Sequence, residues 1–454
     1  MSDSKPSLPD LPSVTRRQFV KSVAGVGAGL LLMHPTWAAA EDSDAQLNVA
    51  VIGTGVQGAI LLNHILKIPG VRVKAIADIY EFNRTRCSNL ASRSGHEATP
   101  YIDYNEMLAA EKDLDAVVIA TPDFVHAEMT NTCLRAGLHV YCEKEMSNDI
   151  EKARSMVHTA RETGKLLQIG HQRRSNPYYK HAYHLLHDRN VFGRITHVSG
   201  QWNQAKLIDL GWPVRYELDA SLLNKYGYGS MAEFRNWRWF HPYAGGPMAD
   251  LGSHQVDVFN WFLKAPPRSV YATGSNTRAI EQAKEESASF VPQYEDNVMS
   301  IYEWDTPTGV VRGFYQVLLT STHRGFYESF MGTDGSFDIS EISDRSAMFR
   351  EAKAPKQDWE EQAEKVEREG VEAMTFQPSR SGEASKQIDE KLAADLTKPP
   401  HMVHLENFFN TIRGSETLHC DAEVGFETAV TVLRINDALR NGGRYEYAPS
   451  EFKA

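Results

Sequence analysis

One stretch limits the architecture more than any other. Residues 47–52 read Leu-Asn-Val-Ala-Val-Ile and lead directly into Gly53-Thr54-Gly55-Val56-Gln57-Gly58. A helical pattern follows through Ala59, Ile60, Leu61, Ile65 and Leu66. Strand, G-x-G-x-x-G and helix in that order predict the first unit of a dinucleotide-binding fold. Gly53 is assigned the tight turn, Gly55 the close approach of backbone to a pyrophosphate, and Gly58 the packing of helix on strand. Thr54, Val56 and Gln57 complete the loop, and the helix N-terminus offers N–H groups to phosphate charge.

The next apolar run, 71–77, ends on Asp78, about twenty residues past Gly58, where an acid accepts from the ribose hydroxyls and repels a 2′-phosphate. That favours NAD over NADP, with Arg84 near enough to meet a phosphate. The alternative for Asp78 is a turn or helix-capping residue. A third strand over 116–120 runs into Thr121-Pro122-Asp123, with His126 just beyond and a helix over about 127–136. A short strand, 139–142, then delivers Glu143-Lys144. Alternating strands and helices of these lengths predict a parallel, doubly wound sheet with ligand at the strands' carboxyl ends. Thr121, Pro122, His126, Glu143 and Lys144 are therefore placed on the cofactor side.

Charge and cysteine count narrow the partners. The chain of 454 residues carries a formal charge of −11, which argues against nucleic acid, since phosphate binding needs a concentrated basic surface. The cysteines at 87, 133, 142 and 420 form no C-x-x-C pair and no metal spacing. No apolar run reaches the roughly 18 residues of a membrane span. At the start, Arg16-Arg17-Gln18-Phe19 precedes a short apolar stretch over 23–33 and then Ala38-Ala39-Ala40. That order predicts a twin-arginine signal peptide over 1–40, export of the folded protein to the periplasm, and no stable membrane insertion.

On five pieces in order the sequence resembles the Gfo/Idh/MocA oxidoreductase family. They are the glycine loop, Ala120-Thr121-Pro122 with His126, Glu143-Lys144, Arg174-x-x-Pro177, and Gly245-Gly246-x-x-x-Asp250-x-Gly252-x-His254-x-x-Asp257. The resemblance implies a Rossmann domain over 46–170 and an α+β domain over 171–454 with a large, mostly antiparallel sheet. One face of that sheet commonly forms an oligomer interface, which implies a homo-oligomer. It also implies hydride transfer between nicotinamide and a sugar or polyol carbon. One position departs from the family: Glu145 stands where proline usually follows the Glu-Lys pair.

Alcohol oxidation needs a base for the hydroxyl proton while hydride leaves. Lys144, beyond a strand on the cofactor side, is placed to orient the hydroxyl or stabilise an alkoxide. Asp250, His254 and Asp257 share one face if their segment is helical. His254 is the proton shuttle, and Asp250 either holds Lys144 or His254 in place or caps the helix. No metal is expected, because no fourth ligand accompanies these three. Trp237, Arg238 and His241 belong to a stretch dense in aromatics and cations that suits a sugar ring. Arg174, Trp202, Asn203 and Asp257 join them as candidate substrate contacts, with His171 and Tyr294 on the same argument. The charge-rich residues of about 345–400 read as a solvated insertion or oligomer arm. Three functions fit: a sugar or polyol oxidoreductase with tightly held NAD, a redox-neutral glycosidase using NAD transiently, and a non-catalytic sugar-binding protein that retains NAD.

Overall fold

In an all-parallel sheet every strand is buried on both faces, so its strands read as unbroken apolar runs. The computed structural model realises this with β1 (Leu47–Ile52), β2 (Val71–Ala77), β3 (Thr99–Tyr101), β4 (Ala116–Ile119), β5 (His139–Cys142) and β6 (Leu167–Ile169). They pair in parallel in the order β3-β2-β1-β4-β5-β6. The structure describes residues 46–454 apart from 206–208, 283–288, 342–344, 358–359, 361–363, 369 and 376–394. The signal-peptide expectation for residues 1–40 lies outside the described residues.

The connecting helices are α1 (Val56–Ile65), α2 (Glu81–Arg93), α3 (Tyr104–Ala110), α4 (Asp123–Arg135), α5 (Ile150–Thr163) and α6 (Pro177–His187). Helix α4 starts four residues earlier than the apolar pattern suggests. Pro122 fixes an extended backbone immediately before it, and proline readily precedes a helix because its missing N–H would be unpaired there.

Among the described residues the second sheet has ten strands: β7 (Ile195–Asn203), β8 (Pro267–Ser275), β9 (Asn297–Thr306), β10 (Gly309–Leu318), β11 (Phe326–Gly332), β12 (Gly335–Ile339), β13 (Ala347–Arg350), β14 (Lys365–Arg368), β15 (Val371–Thr375) and β16 (Arg444–Glu446). Their order is β14-β15-β13-β12-β11-β7-β10-β9-β8-β16. Every pairing is antiparallel except β7 with β10. The mostly antiparallel sheet implied by the resemblance is present. The charged region is not purely a solvated insertion, because β13, β14 and β15 extend one edge of this sheet. Residues 376–394 of it lie outside the described residues.

Three further helices, α7 (Ser253–Leu263), α8 (Pro400–Ile412) and α9 (Ala422–Leu433), close the molecule. Leu405, Phe408 and Phe409 of α8 pack with Val49, Val51, Val118 and Tyr141 on one face of the parallel sheet. The chain therefore returns from its far end to cover the first sheet. Among the described residues no helix is long and apolar enough to cross a membrane.

Candidate active site

The glycine loop leaves the carboxyl end of β1 with Gly53 at φ +81°, a backbone conformation that favours glycine. A Cβ on Gly58 would lie 1.9 Å from the Gly53 carbonyl oxygen, so α1 packs where only hydrogen fits. Over Gly55, by contrast, a Cβ would meet nothing within 4 Å. The first turn of α1 has no side-chain cap, leaving its N–H groups for a ligand. Open space above Gly55 and an uncapped helix end fit the diphosphate of a dinucleotide.

Of the two roles the sequence offered Asp78, the turn role is formed in the fold itself. Its Oδ2 accepts from the Thr54 amide at 2.7 Å and the Thr54 hydroxyl at 2.9 Å, and Oδ1 accepts from the Tyr80 amide at 2.8 Å. These bonds make it a turn residue that ties the glycine loop to β2. A carboxylate has about four acceptor sites, so capacity remains for a ribose hydroxyl. Burial raises its pKa. Arg84 donates to the Asp78 carbonyl oxygen at 2.6 Å, and Arg86 donates to the carbonyls of Thr54 and Gly55 at 3.0 and 3.1 Å.

On the other side of the crevice, Gln57 donates to the buried Glu143 carboxylate at 3.1 Å. His126 lies buried with its two ring nitrogens each 2.8 Å from a carbonyl oxygen, those of Thr121 and Glu145. It clamps the loop after β4 to the loop after β5, and burial lowers its pKa to about 4.

Lys144 follows directly. Its ammonium donates to the Asp250 backbone carbonyl and lies 3.8 Å from Asp250 Oδ1, which also accepts from Arg238 Nε at 3.1 Å. The Lys144–Glu145 peptide is cis. The side chains of Lys144 and Asp250 keep 11% and 14% exposure, enough to meet a ligand.

Of Asp250, His254 and Asp257, expected on one helical face, only the last two lie in the regular helix α7. Residues Met248–Gly252 make a π turn before α7, and its wider spacing breaks the register. Asp250 faces Lys144 and Arg238. The His254 ring stacks on Trp202 at 5.4 Å and 20°. Asp257 is fully buried, accepting from Arg174 Nε at 2.9 and 3.0 Å and from the Thr428 hydroxyl at 3.0 Å. Nor does Asp250 cap the helix: the residue before α7 is Gly252, with no side-chain cap bond.

The remaining candidates divide. Trp202 is sandwiched between His254 and Phe326, the latter at 4.6 Å. Arg238 lies 4.3 Å over Trp237. Exposed His241 meets Tyr294 edge-on at 4.5 Å, and the Tyr294 hydroxyl donates to the Ala244 carbonyl. Asn203 is engaged internally, donating to the His323 carbonyl at 2.8 Å and accepting from Gln316 at 2.9 Å.

Sequence reasoning missed the acids. Asp123, at the start of α4, is buried and its pKa rises to about 7, through burial and then the neighbouring Asp250. Glu145 is fully buried and burial raises its pKa to about 8. Burial lowers His171 to about 4 and, with the Lys144 and Arg173 cations, holds His254 well below the usual histidine value. Asp123 Oδ2, Glu145 Oε2, both nitrogens of His171 and His254 Nδ1 are buried without a hydrogen-bond partner among the described residues. All four side chains lie within electrostatic reach of the Lys144 ammonium. The one sequence signal for any of this was the acid standing in for proline at 145.

Residues 47–171 match the oxidoreductase family described by its NAD-binding Rossmann fold, and residues 205–445 match that family's C-terminal alpha/beta domain. The chain belongs to the Gfo/Idh/MocA family. An inositol 2-dehydrogenase from Rubrobacter xylanophilus is 26% identical over 306 residues, 64% of this chain and 77% of that protein. A 2,7-anhydro-N-acetylneuraminate hydratase from Mediterraneibacter gnavus is 24% identical over 263 residues, 56% of this chain and 60% of that one. Matches to several other family members span only 38–45% of their lengths. The WlbA dehydrogenase from Bordetella pertussis, solved with NADH and UDP-GlcNAcA, superposes with a TM-score of 0.64 at 19% identity, covering 90% of this chain and 99% of that one. At that identity the likeness is one of fold.

Proposed function

We propose that this family member transfers hydride to or from a secondary hydroxyl of a sugar or polyol, holding one NAD through the cycle. The proposal includes export of the folded protein to the periplasm by the twin-arginine machinery. The observation that carries the substrate class is the set of unpartnered buried polar atoms around Lys144. Each buried donor or acceptor left unpaired costs roughly 1–3 kcal/mol. A ligand with several hydroxyls would satisfy such a set, whereas a single alcohol would leave most of it unpaired. The names of the dehydrogenase and hydratase relatives, an inositol and an anhydro-sugar acid, support the same class.

Gly53, Gly55 and Gly58 with the first turn of α1 would hold NAD, which when bound would supply the hydride acceptor or donor. Lys144 orients the reacting hydroxyl and stabilises negative charge on its oxygen. Asp250, itself held by Arg238, fixes the ammonium in place. His254, kept neutral by burial and nearby cations, presents an unpaired Nδ1 that takes the hydroxyl proton. Trp202 sets the plane of that ring. Arg174 and Asp257 act beneath the site by bracing α7 against the loop after β6. Tyr271, Ile301 and Phe314 lie in register on an incompletely buried face of the second sheet, which supports a homo-oligomer.

The hydratase relative favours a second reading. Its name denotes a reaction without net redox change, and in a cycle of that kind hydride returns to the same sugar, as in an oxidation–elimination glycosidase. The test uses protein recovered from the periplasmic fraction, incubated with polyols, sugars and nitrophenyl glycosides without added NAD. Bound nicotinamide and turnover of a polyhydroxylated substrate are expected. Nitrophenol release without net NADH would select the second reading. Cytoplasmic, cofactor-free protein that forms NADH steadily from added NAD would overturn both export and retention.

A further inference from the structure

Residues 209–243, which follow β7, contact residues just beyond the carboxyl ends of β2, β3 and β4 of the first sheet, β1 lying between β2 and β4. Beyond β2, the Tyr216 ring meets Phe82 edge-on at 5.2 Å and Tyr80 at 6.3 Å. Phe234 meets Tyr80 at 5.5 Å, with the Arg235 guanidinium 5.3 Å over the same ring. Beyond β3, Asp103 accepts from Lys225 Nζ and the Tyr226 hydroxyl, both at 3.0 Å. Beyond β4, Phe124 meets Tyr228 at 5.4 Å and Tyr243 at 5.1 Å. The segment is also braced on itself: Arg235 donates to the Gly211 carbonyl at 3.0 Å, and Asn236 accepts from the Leu210 amide at 2.9 Å.

Ligands of open α/β sheets lie outside the carboxyl ends of the strands, and the acid after β2 marks the adenosine side. Tyr80 and Phe82 directly follow that acid, Asp78. A segment footed on β2 and β4 therefore bridges the crevice on the adenosine side. One further detail points to a ligand beneath it. The Tyr80 hydroxyl, on a side chain 1% exposed, has no hydrogen-bond partner among the described residues, and a buried hydroxyl ordinarily has one.

We propose that residues 209–243 form a cover over the adenosine half of bound NAD, latched by Tyr216 on Phe82, with the Tyr80 hydroxyl bonding the adenosine. Edge-to-face ring pairs and exposed ion pairs are individually weak. The cover is thus an openable one that slows exchange rather than forbidding it. This rests on the reading that one NAD is held through the cycle, and it supplies the physical cause of that retention.

The test loads the full-length protein with radiolabelled NAD and follows loss of label during a chase with unlabelled NAD. Wild-type protein should release label slowly. Tyr216→Ala should release it at least roughly ten-fold faster, having lost two ring contacts, while Tyr216→Phe keeps the rings and the wild-type rate. Tyr80→Phe should release it a few-fold faster. Should Tyr216→Ala fail to fold, Lys225→Ala combined with Tyr226→Phe detaches the foot at Asp103 and should also hasten release. Slow release from wild type and from every variant would overturn the cover and leave NAD retention standing. Rapid release from wild type would overturn both.

Discussion

The glycine loop and the surroundings of Lys144 lie at the same edge of the same sheet, yet they treat polar groups in opposite ways. At the loop, the Asp78 carboxylate, the Thr54 amide and hydroxyl and the Arg86 guanidinium are all paired with one another or with backbone. Around Lys144, polar atoms of Asp123, Glu145, His171 and His254 are buried without a hydrogen-bond partner among the described residues. The loop is finished by folding alone and presents backbone to its ligand. Around Lys144 the fold gathers buried acids and histidines whose pKa values are shifted by burial and by the ammonium itself. A site of this second kind should weaken the apoprotein and respond strongly to substitution.

The largest effect is expected in the pocket. Lys144→Ala and His254→Ala should each lower turnover by roughly 10²–10⁴-fold, with circular dichroism unchanged. Full activity in either variant would remove that residue from the chemistry. Because burial and nearby cations hold His254 well below the usual histidine value, protonation of this ring should cause no loss of kcat/KM down through pH 6.5.

A stability measurement sharpens the contrast further. Burial raises the Glu145 pKa from 4.5 to about 8, with Asp123 and Asp257 adding to the rise and the Met146 amide and Lys144 opposing it. Between those values the folded state holds a proton that the unfolded state has lost. Stability should therefore fall as pH rises from about 4.5 to 8 and then level off. Glu145→Gln removes that dependence. It should raise stability above pH 8 by on the order of 2–4 kcal/mol, with little change near pH 4. Denaturant unfolding across this range is the measurement, and parallel curves for the two proteins would show that Glu145 is not a buried acid.

The smallest of these effects belongs to the loop, where the groups are already satisfied. Asp78→Ala removes the acceptor for Thr54 and Tyr80 and should cost about 1–3 kcal/mol of stability. NAD should bind more weakly and NADP comparatively better, since the repulsive charge is gone. Asp78→Asn keeps an acceptor oxygen and should lose less stability while still relaxing the nucleotide preference. Calorimetric titration with both nucleotides checks this. Equal losses in the two variants would mean that charge, not the turn, dominates.

Much of the scaffold was legible because its signals are local. An apolar run, a glycine at each steric bottleneck and an acid at the next strand end are fixed by contacts a few residues long, and β1, α1, β2 and β5 follow from them. Lys144, the lysine proposed for the chemistry, was legible only through its place after a strand and its company of motifs. What could not be read was which polar atoms would lack partners. A single sequence says that residue 145 is an acid, but not that it has no exposure and, among the described residues, no mate for Oε2. The same holds for Asp250, which sits in a π turn ahead of the regular helix that carries His254 and Asp257.

The sequence by itself therefore determined the Rossmann unit, the place of its nucleotide loop and the residues able to do acid–base work. Those depend on steric limits and charge, which travel with the residue. Only the tertiary structure decided that α8 returns from the far end of the chain to cover the first sheet. It also decided that Asp257 is spent on Arg174 rather than presented to a ligand, and that an aromatic segment lies across the strand ends beside Asp78. Each of these depends on which distant segments exclude water from one another, and hydrophobic burial, being non-directional, leaves no local signature of its partner.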